Sequence, residues 1–373
     1  MKDSISIILK ISNACNLKCK HCYEGDYLGS LCSTIMPLDI LGRVFELAQN
    51  EYHHVTYVWF GGEPLLCGFD YLKNAISLQK MYGKGTIISN RIQTNATLIT
   101  RELASLLFDS GFAVSVSYDG QFNDYLRQET SATLKGIKYL KDVGHHCGIL
   151  STVHSGNFDR QIEMYEHIKE MGCSMKFNPI FPSGSAAHNA EFLLDDDSYI
   201  SETLRFFRYW CHDASAVPVA NFIQNIKLIA RYPERHCTSG QCFYHWLCVE
   251  PDGGITPCSR FPPANYRICS IDDISSFDHV YLKDSYADIV SSAMIRRQKC
   301  KEQCEIYPLC NGGCNSAAAN EVGLNNTDFQ QCRFTKKLIP GIISEIESIK
   351  RSSTIPNIII STLLHLPTQN KVI

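Results

Sequence analysis

The chain has 373 residues, 45% of them hydrophobic, which is enough for one large α/β domain and a smaller second domain. The 35 basic and 38 acidic residues leave a net charge of -3, so the charge balance predicts neither a nucleic-acid partner nor a membrane partner. The N-terminal segment lacks the pattern of a secretory signal, and no stretch approaches the roughly 18 apolar residues of a membrane span. We therefore expect a soluble, cytoplasmic protein.

Cysteine is the unusual feature of the composition, with 18 residues. Disulfide frameworks of this density are typical of small secreted domains that lack a large core. This chain is large, apolar enough to form a core and without an export signal. The cysteines are therefore predicted to be reduced and to act as metal ligands.

Short β-branched segments alternate with amphipathic segments over roughly the first 180 residues. Predicted strands cover 4–12, 55–60, 86–94, 113–118, 148–154 and 174–180, and predicted helices lie near 38–50, 70–81, 100–110, 131–143 and 159–171. Strand-helix repeats demand parallel strands with right-handed crossovers, so we expect a partial barrel or an open doubly wound sheet. In either fold the reactive site lies at the carboxyl ends of the strands.

The pattern changes after the sixth strand and divides the chain into four predicted parts. Residues 1–194 form the α/β domain, and residues 195–236 form a helical bridge. Residues 237–335 are loop-rich and contain ten of the 18 cysteines, so this part is expected to need metal to fold. Residues 336–373 form a last helix and a tail.

Three cysteines follow the first predicted strand in C-x3-C-x2-C spacing: Cys15, Cys19 and Cys22. A short loop after a strand can bring three thiolates onto one iron-sulfur cluster, and the fourth iron stays open for another ligand. By composition alone, the pattern would occur by chance only about 0.04 times in such a chain. A zinc site and buried unliganded thiols are the alternative interpretations.

This triad resembles that of the radical S-adenosylmethionine (SAM) superfamily, in which it follows the first strand of a partial (β/α)6 barrel. The family has an aromatic residue at or near the last cysteine; here His21 precedes Cys22 and Tyr23 follows it. The resemblance implies that SAM chelates the open iron. Reduction then yields methionine and a 5'-deoxyadenosyl radical.

Other residues at the predicted strand ends resemble the SAM-binding positions of the superfamily. The second strand ends in a GGEP sequence that resembles the methionine-binding motif, although GGEP alone is only a turn. Strand-end capping and a solvated arginine would explain the remaining positions equally well. The cofactor-binding residues that the resemblance implies are Tyr23, Gly61, Gly62, Glu63, Pro64, Gln93, Asn95, Ser117, Asp119 and Arg127.

The C-terminal cysteines resemble those of the SPASM domain, which holds two auxiliary 4Fe-4S clusters and has a DG turn before a PC dipeptide. Asp252 and Gly253 occupy that turn. The resemblance implies one cluster on Cys237, Cys242, Cys258 and Cys314, and a second on Cys300, Cys304, Cys310 and Cys332. The pair Cys300 and Cys304 has C-x3-C spacing where the family usually has C-x2-C. Cys248 and Cys269 lie outside the pattern, and a zinc ribbon is the alternative.

SPASM proteins mostly modify peptides or proteins, so the resemblance implies three 4Fe-4S clusters, SAM and a ribosomally made precursor peptide as substrate. Sulfatase maturases carry an aspartate directly after the PC cysteine, whereas Ser259 follows Cys258 here and is a weak base. We therefore expect peptide crosslinking, of the cyclophane or a related kind, or another side-chain oxidation. Formylglycine formation in a sulfatase is the alternative, and the residues name no catalytic base.

Two further expectations concern partners. The chemistry needs an electron donor such as flavodoxin or ferredoxin. The dozen or so residues before Cys15 are too few for a leader-binding domain, so we expect leader recognition to use either the barrel and SPASM surface or a separate partner protein. A different class of protein, a non-catalytic zinc-stabilised interaction module, also fits the cysteine content.

Overall fold

The computed structural model describes residues 2–25, 28, 35–83, 85–232 and 237–351. Six strands alternate with helices along the first half of the chain, each close to its predicted range. The strands are β1 (Lys2–Ser12), β2 (Tyr52–Gly61), β3 (Ile87–Thr94), β4 (Phe112–Ser117), β5 (Gly148–Val153) and β6 (Ser174–Pro179). The main helices between them are Leu38–Glu51, Gly68–Tyr82, Arg101–Asp109, Thr130–Asp142 and Gln161–Glu170.

The sheet order distinguishes the two folds that the sequence left open. The order is β6-β5-β4-β3-β2-β1, and every neighbouring pair among these six strands is parallel. Each strand therefore lies beside its predecessor without a reversal of order, so right-handed crossovers place all the helices on one face. This is the winding of a partial barrel. The doubly wound alternative is wrong because it requires a switch point in the strand order.

Alternation along the strands separates the helix-covered face from the barrel interior. On β2, Tyr57 and Trp59 are fully buried and contact Phe45 of the helix Leu38–Glu51, with ring centroids 5.0 and 6.2 Å away. Phe60 points to the opposite face, as alternate residues in a strand do. The apolar core thus lies between sheet and helices, and the opposite face forms the barrel interior.

The C-terminal half extends the same sheet. Strand β7 (Trp246–Val249) pairs in parallel with β1, and β8 (Gly254–Thr256) and β9 (Cys269–Ser270) continue it as antiparallel neighbours. The predicted DG turn lies between β7 and β8, where Gly253 has a φ of +81° that favours glycine. The sheet therefore crosses the boundary that we predict near residue 237.

Four long helices complete the C-terminal half: Asp196–His212, Ala220–Ile229, Asp284–Gln303 and Gln330–Arg351. The helix Asp284–Gln303 lies inside the part that we expected to be loop-rich. Its buried positions, Tyr286, Ile289, Ala293, Arg296 and Cys300, follow helical spacing, but two of them are not ordinary apolar residues. The pattern was missed because an arginine and a cysteine occupy core positions.

Among the residues that the structure describes, no helix is long and apolar enough to cross a membrane.

Candidate active site

The three N-terminal cysteines converge on one cavity at the carboxyl ends of the strands. Cys15, Cys19 and Cys22 line it, together with residues from the ends of β2 to β6. Burial raises the pKa of Cys15 to about 11. Burial, together with the charges of the neighbouring cysteines, raises the pKa of Cys22 to about 12. Free thiols here are therefore protonated, and a metal would have to displace their protons.

The cysteine loop is held by the segment that follows β6. The amide of Ser185 donates a hydrogen bond of 2.9 Å to the carbonyl of Cys22. Gly184 has a φ of +55°, and a Cβ atom at that position would lie 2.5 Å from the same carbonyl. The loop thus depends on a glycine far away in sequence.

The predicted GGEP turn lies directly against the cysteine loop. The amide of Gly62 donates to the carbonyl of Ser12 at 2.9 Å, and the amide of Glu63 donates to the carbonyl of Ala14 at 2.8 Å. A Cβ atom on Gly62 would lie 2.3 Å from the Ala14 carbonyl. Glycine is therefore needed for the close approach of two backbones. Pro64 begins the short helix Pro64–Cys67 and is buried.

Glu63 lines the cavity but is already engaged by the protein. Its carboxylate accepts hydrogen bonds from the Thr94 hydroxyl at 2.7 Å, the Asn95 amide at 2.8 Å and the Leu65 amide at 3.0 Å. Burial raises the pKa of Glu63 to about 7 and outweighs these hydrogen bonds, which lower it. Glu63 thus fixes the end of β3 against the turn.

The predicted polar residues of β3 and β4 lie side by side. The Gln93 amide donates to the Ser117 hydroxyl at 2.9 Å, and both side chains line the cavity. The side-chain amide of Asn95 donates to the side-chain oxygen of Asn16 at 3.0 Å, and this hydrogen bond connects the end of β3 to the cysteine loop.

Asp119 and Arg127 form a buried ion pair beside the same cavity. Nε of Arg127 donates to Asp119 at 2.7 Å, and its terminal nitrogen donates to the Thr152 hydroxyl at 2.8 Å. The Thr152 amide donates to the other oxygen of Asp119 at 2.7 Å. Arg127 lines the cavity, whereas Asp119 is fully buried behind it. The role of Asp119 here is to hold Arg127.

Aromatic rings cover one side of the cavity. Tyr23 stacks with Phe60 at a centroid distance of 6.3 Å and lies 6.3 Å from Phe181. The side chain of Ser259, from the C-terminal half, hydrogen-bonds to Tyr23. Tyr23 therefore connects the cysteine loop to the turn after β8.

A buried charged cluster that no sequence pattern indicated lies beside the cavity. Lys10 is 2% exposed and lies 3.0 Å from Glu24 and 3.2 Å from Glu250. Burial raises the pKa of Glu24 to about 7; Lys10 opposes this shift and Glu250 adds to it. The available signal was a lysine within the otherwise apolar residues 7–11 of β1.

The cysteines of the first C-terminal quartet interact with one another. The pKa of Cys237 is raised by a hydrogen bond with Cys242 and by burial, and that of Cys258 is raised by burial and by the charges of Cys237 and Cys314. The side-chain amide of Asn315, next to Cys314, donates to the Cys242 sulfur at 3.3 Å. Four cysteines from separate segments thus share one site.

The second quartet lines a single cavity. Cys300, Cys304, Cys310 and Cys332 all contribute to it, including the cysteine with unusual spacing. Arg296, fully buried, donates to the Gly312 carbonyl at 3.1 Å and to Asn315 at 2.5 Å. It therefore joins the loops that carry the two quartets, and sequence reasoning missed it.

Within the described ranges, no set of three or more His, Cys, Asp or Glu side chains is arranged around a single metal ion. In a four-iron cluster each thiolate binds a different iron, so the sulfur atoms lie farther apart than around one zinc ion. Three or four thiols around a shared cavity, as seen here, fit a cluster.

Comparison with known proteins agrees with this geometry. Residues 9–168 match the model of the radical SAM superfamily. A cysteine-type anaerobic sulfatase-maturating enzyme of Clostridium novyi (strain NT) is 26% identical over 378 residues, covering 94% of this chain and 98% of that protein.

Two solved structures share the fold. Native anSMEcpe with bound AdoMet and a peptide superposes with a TM-score of 0.82 at 22% identity, covering 94% of this chain and 100% of that one. Streptococcus suis SuiB bound to the precursor peptide SuiA gives a TM-score of 0.67 at 19% identity, covering 89% and 76%. The chain therefore carries a radical SAM domain over residues 9–168, within a fold that it shares with anSMEcpe and SuiB.

Proposed function

We propose that the protein cleaves SAM reductively and oxidises a side chain of a ribosomally made precursor peptide, joining it to a neighbouring residue in a crosslink. The observation that carries this proposal is the convergence of Cys15, Cys19 and Cys22 on a cavity lined by the GGEP turn and by polar strand ends. When bound there, a 4Fe-4S cluster and SAM supply a 5'-deoxyadenosyl radical that removes hydrogen from the substrate.

The residues of this chain have distinct proposed roles around SAM. Gly61 and Gly62 let the turn pack closely against the backbone of Ser12 and Ala14, and Glu63 holds that turn in place beside the methionine part of SAM. Gln93, Asn95 and Ser117 offer hydrogen bonds, and Arg127 offers a positive charge fixed by Asp119. Tyr23 covers the cavity and excludes water.

We assign one auxiliary 4Fe-4S cluster to Cys237, Cys242, Cys258 and Cys314, and another to Cys300, Cys304, Cys310 and Cys332. The grouping of each quartet supports this assignment. The auxiliary clusters would accept the electron that the substrate releases, within the wide range of potentials that such clusters span. A flavodoxin or ferredoxin would reduce the first cluster, a separate protein would bind the peptide leader, and the location would be cytoplasmic.

Formylglycine formation is the second candidate, favoured by the relative from Clostridium novyi that bears the sulfatase-maturating name. The residue after Cys258 argues for crosslinking. Ser259 hydrogen-bonds to Tyr23 and is a weak base, whereas a carboxylate would suit removal of a proton from the substrate.

The experiment begins with anaerobic reconstitution, followed by dithionite and SAM. The proposed enzyme releases 5'-deoxyadenosine, and Cys19→Ala abolishes the release; a zinc-stabilised binding module would release none in either form. Mass spectrometry of candidate substrates then separates the two reactions. A loss of about 2 Da that leaves two residues joined supports crosslinking, and formylglycine in a sulfatase peptide supports the second candidate.

A further inference from the structure

Two cations face the interior of the partial barrel below the candidate SAM cavity. Gln93 on β3 and Asn178 on β6 line that cavity. Arg91 and Lys176 lie two residues earlier on the same strands, and alternate residues share a face. Both side chains are exposed to water, so the interior is open at this level. Two residues of strand place these cations about 7 Å below the cavity floor.

A third cation approaches from the C-terminal half. The guanidinium carbon of Arg260 lies 3.9 Å from the ring centroid of Phe181, which also lines the SAM cavity. Nε of Arg260 is buried and has no hydrogen-bond partner. A buried donor without a partner is costly, and a negatively charged acceptor would satisfy it.

The charges of Arg91 and Arg260 both act on Lys176. Burial inside the barrel lowers the pKa of Lys176; the thiol of Cys237 opposes this shift, and the charges of Arg260 and Arg91 add to it. Among the described residues, no Asp or Glu contributes to the pKa shift of Lys176. The protein thus concentrates like charge where the barrel interior meets the turn after β8.

We propose that Arg91, Lys176 and Arg260 form a binding subsite for an acidic side chain of the substrate peptide. This inference rests on the proposed function, because it assigns the cations to the peptide that enters the same barrel. A carboxylate would offset the repulsion between Lys176 and the two arginines, and it would accept a hydrogen bond from the unpaired Nε–H of Arg260. The subsite lies about 7 Å from the cavity floor, and an extended peptide advances about 3.5 Å per residue. An acidic residue bound there would therefore lie about two positions along the peptide from the residue that reaches the cavity floor.

The test uses a pair of fluorescein-labelled decapeptides that are identical except for a central Asp or Asn. Their anaerobic binding to the reconstituted holoenzyme with SAM is followed by fluorescence anisotropy. The Asp peptide is expected to bind about tenfold more tightly, since charged hydrogen bonds supply roughly 1.5–3 kcal/mol. Lys176→Met and Arg260→Gln each reduce this preference. Lys176→Glu reverses the preference in favour of a peptide with a central Lys. Lys73→Met, a control at an exposed position on the helix Gly68–Tyr82, retains the preference for Asp.

Equal affinities for the Asp and Asn peptides, including no measurable binding of either, would overturn the subsite. So would a preference that survives both Lys176→Met and Arg260→Gln. If these two variants change only the midpoint potential of a cluster and the wild type shows no Asp preference, the cations serve the cluster and the subsite is also refuted. Release of 5'-deoxyadenosine is measured in the same samples, and its absence counts against the proposed function whatever the peptides do.

Discussion

The ammonium group of Lys10 on β1 lies 3.2 Å from the carboxylate of Glu250, which follows β7. The same ammonium group lies 3.0 Å from Glu24, two residues after Cys22. One buried cation thus joins the cysteine loop, the first strand and the C-terminal half. Removing a cation that lies between two buried carboxylates strongly destabilises a protein, because the two negative charges then remain buried without a positive charge to neutralise them.

We expect Lys10→Met to destabilise the protein by about 3–5 kcal/mol, the usual cost of breaking a buried ion pair from one side. Lys2→Met on the same strand is the matched control. Lys2 pairs with Asp278 and Glu51, but its side chain is 39% exposed. Lys2→Met should therefore lower the free energy of unfolding by only about 0–1 kcal/mol. Anaerobic thermal unfolding of the reconstituted proteins measures both. Similar midpoints for the two variants would contradict the structural role of Lys10.

Arg127→Lys should weaken SAM binding about tenfold or more. Lysine keeps the positive charge but cannot donate to Asp119 and Thr152 in the fixed geometry of the guanidinium group. Equilibrium binding of SAM to anaerobic, reconstituted protein provides the measurement. Arg101→Lys, at a side chain that is 69% exposed, is the control. Unchanged affinity in Arg127→Lys would show that Arg127 does not serve SAM.

Cys304→Ala should remove one cluster and lower the iron content from about twelve to about eight atoms per chain, since each 4Fe-4S cluster holds four. Cys304 lines the cavity of the second quartet despite its unusual spacing. Cys269→Ala is the control, because Cys269 lies on β9 outside both quartets. Iron analysis and electron paramagnetic resonance report the outcome. Equal iron in the two variants would remove Cys304 from the ligand set.

Asp213→Asn should lower stability by roughly 1–2 kcal/mol at neutral pH, after allowance for solvent screening. Burial alone would raise the pKa of Asp213, but Lys169 at 2.6 Å and Tyr165 at 2.8 Å lower it to about 2. A lowered carboxyl pKa contributes stability above the unfolded value near 4, and this contribution is lost as the pH falls towards 2.

The difference in melting temperature between wild type and Asp213→Asn should therefore stay constant from about pH 8 to pH 5. Asp159→Asn, at an exposed position, serves as the control and should leave the melting temperature unchanged. A difference that disappears already at pH 6 would contradict the assignment.

Local patterns in the sequence predicted the strands, their parallel direction and the cysteine triad. Alternation and helical spacing are properties of neighbouring residues, so β5 begins at Gly148 as predicted. The spacing of Cys15, Cys19 and Cys22 is equally local. The two quartets, in contrast, are implied by the resemblance to SPASM proteins, because their cysteines are spread over residues 237–332 and no local pattern groups them.

Sequence by itself determined which segments form strands and most of the helices, and that Cys15, Cys19 and Cys22 share one loop, because these features follow from near neighbours in the chain. Only the tertiary structure decided that the sheet winds without reversal, that Lys10 meets Glu24 and Glu250, and that Arg296 joins the quartets. Buried charges and unpaired cations depend on partners from distant segments, and no local pattern specifies which segments will meet.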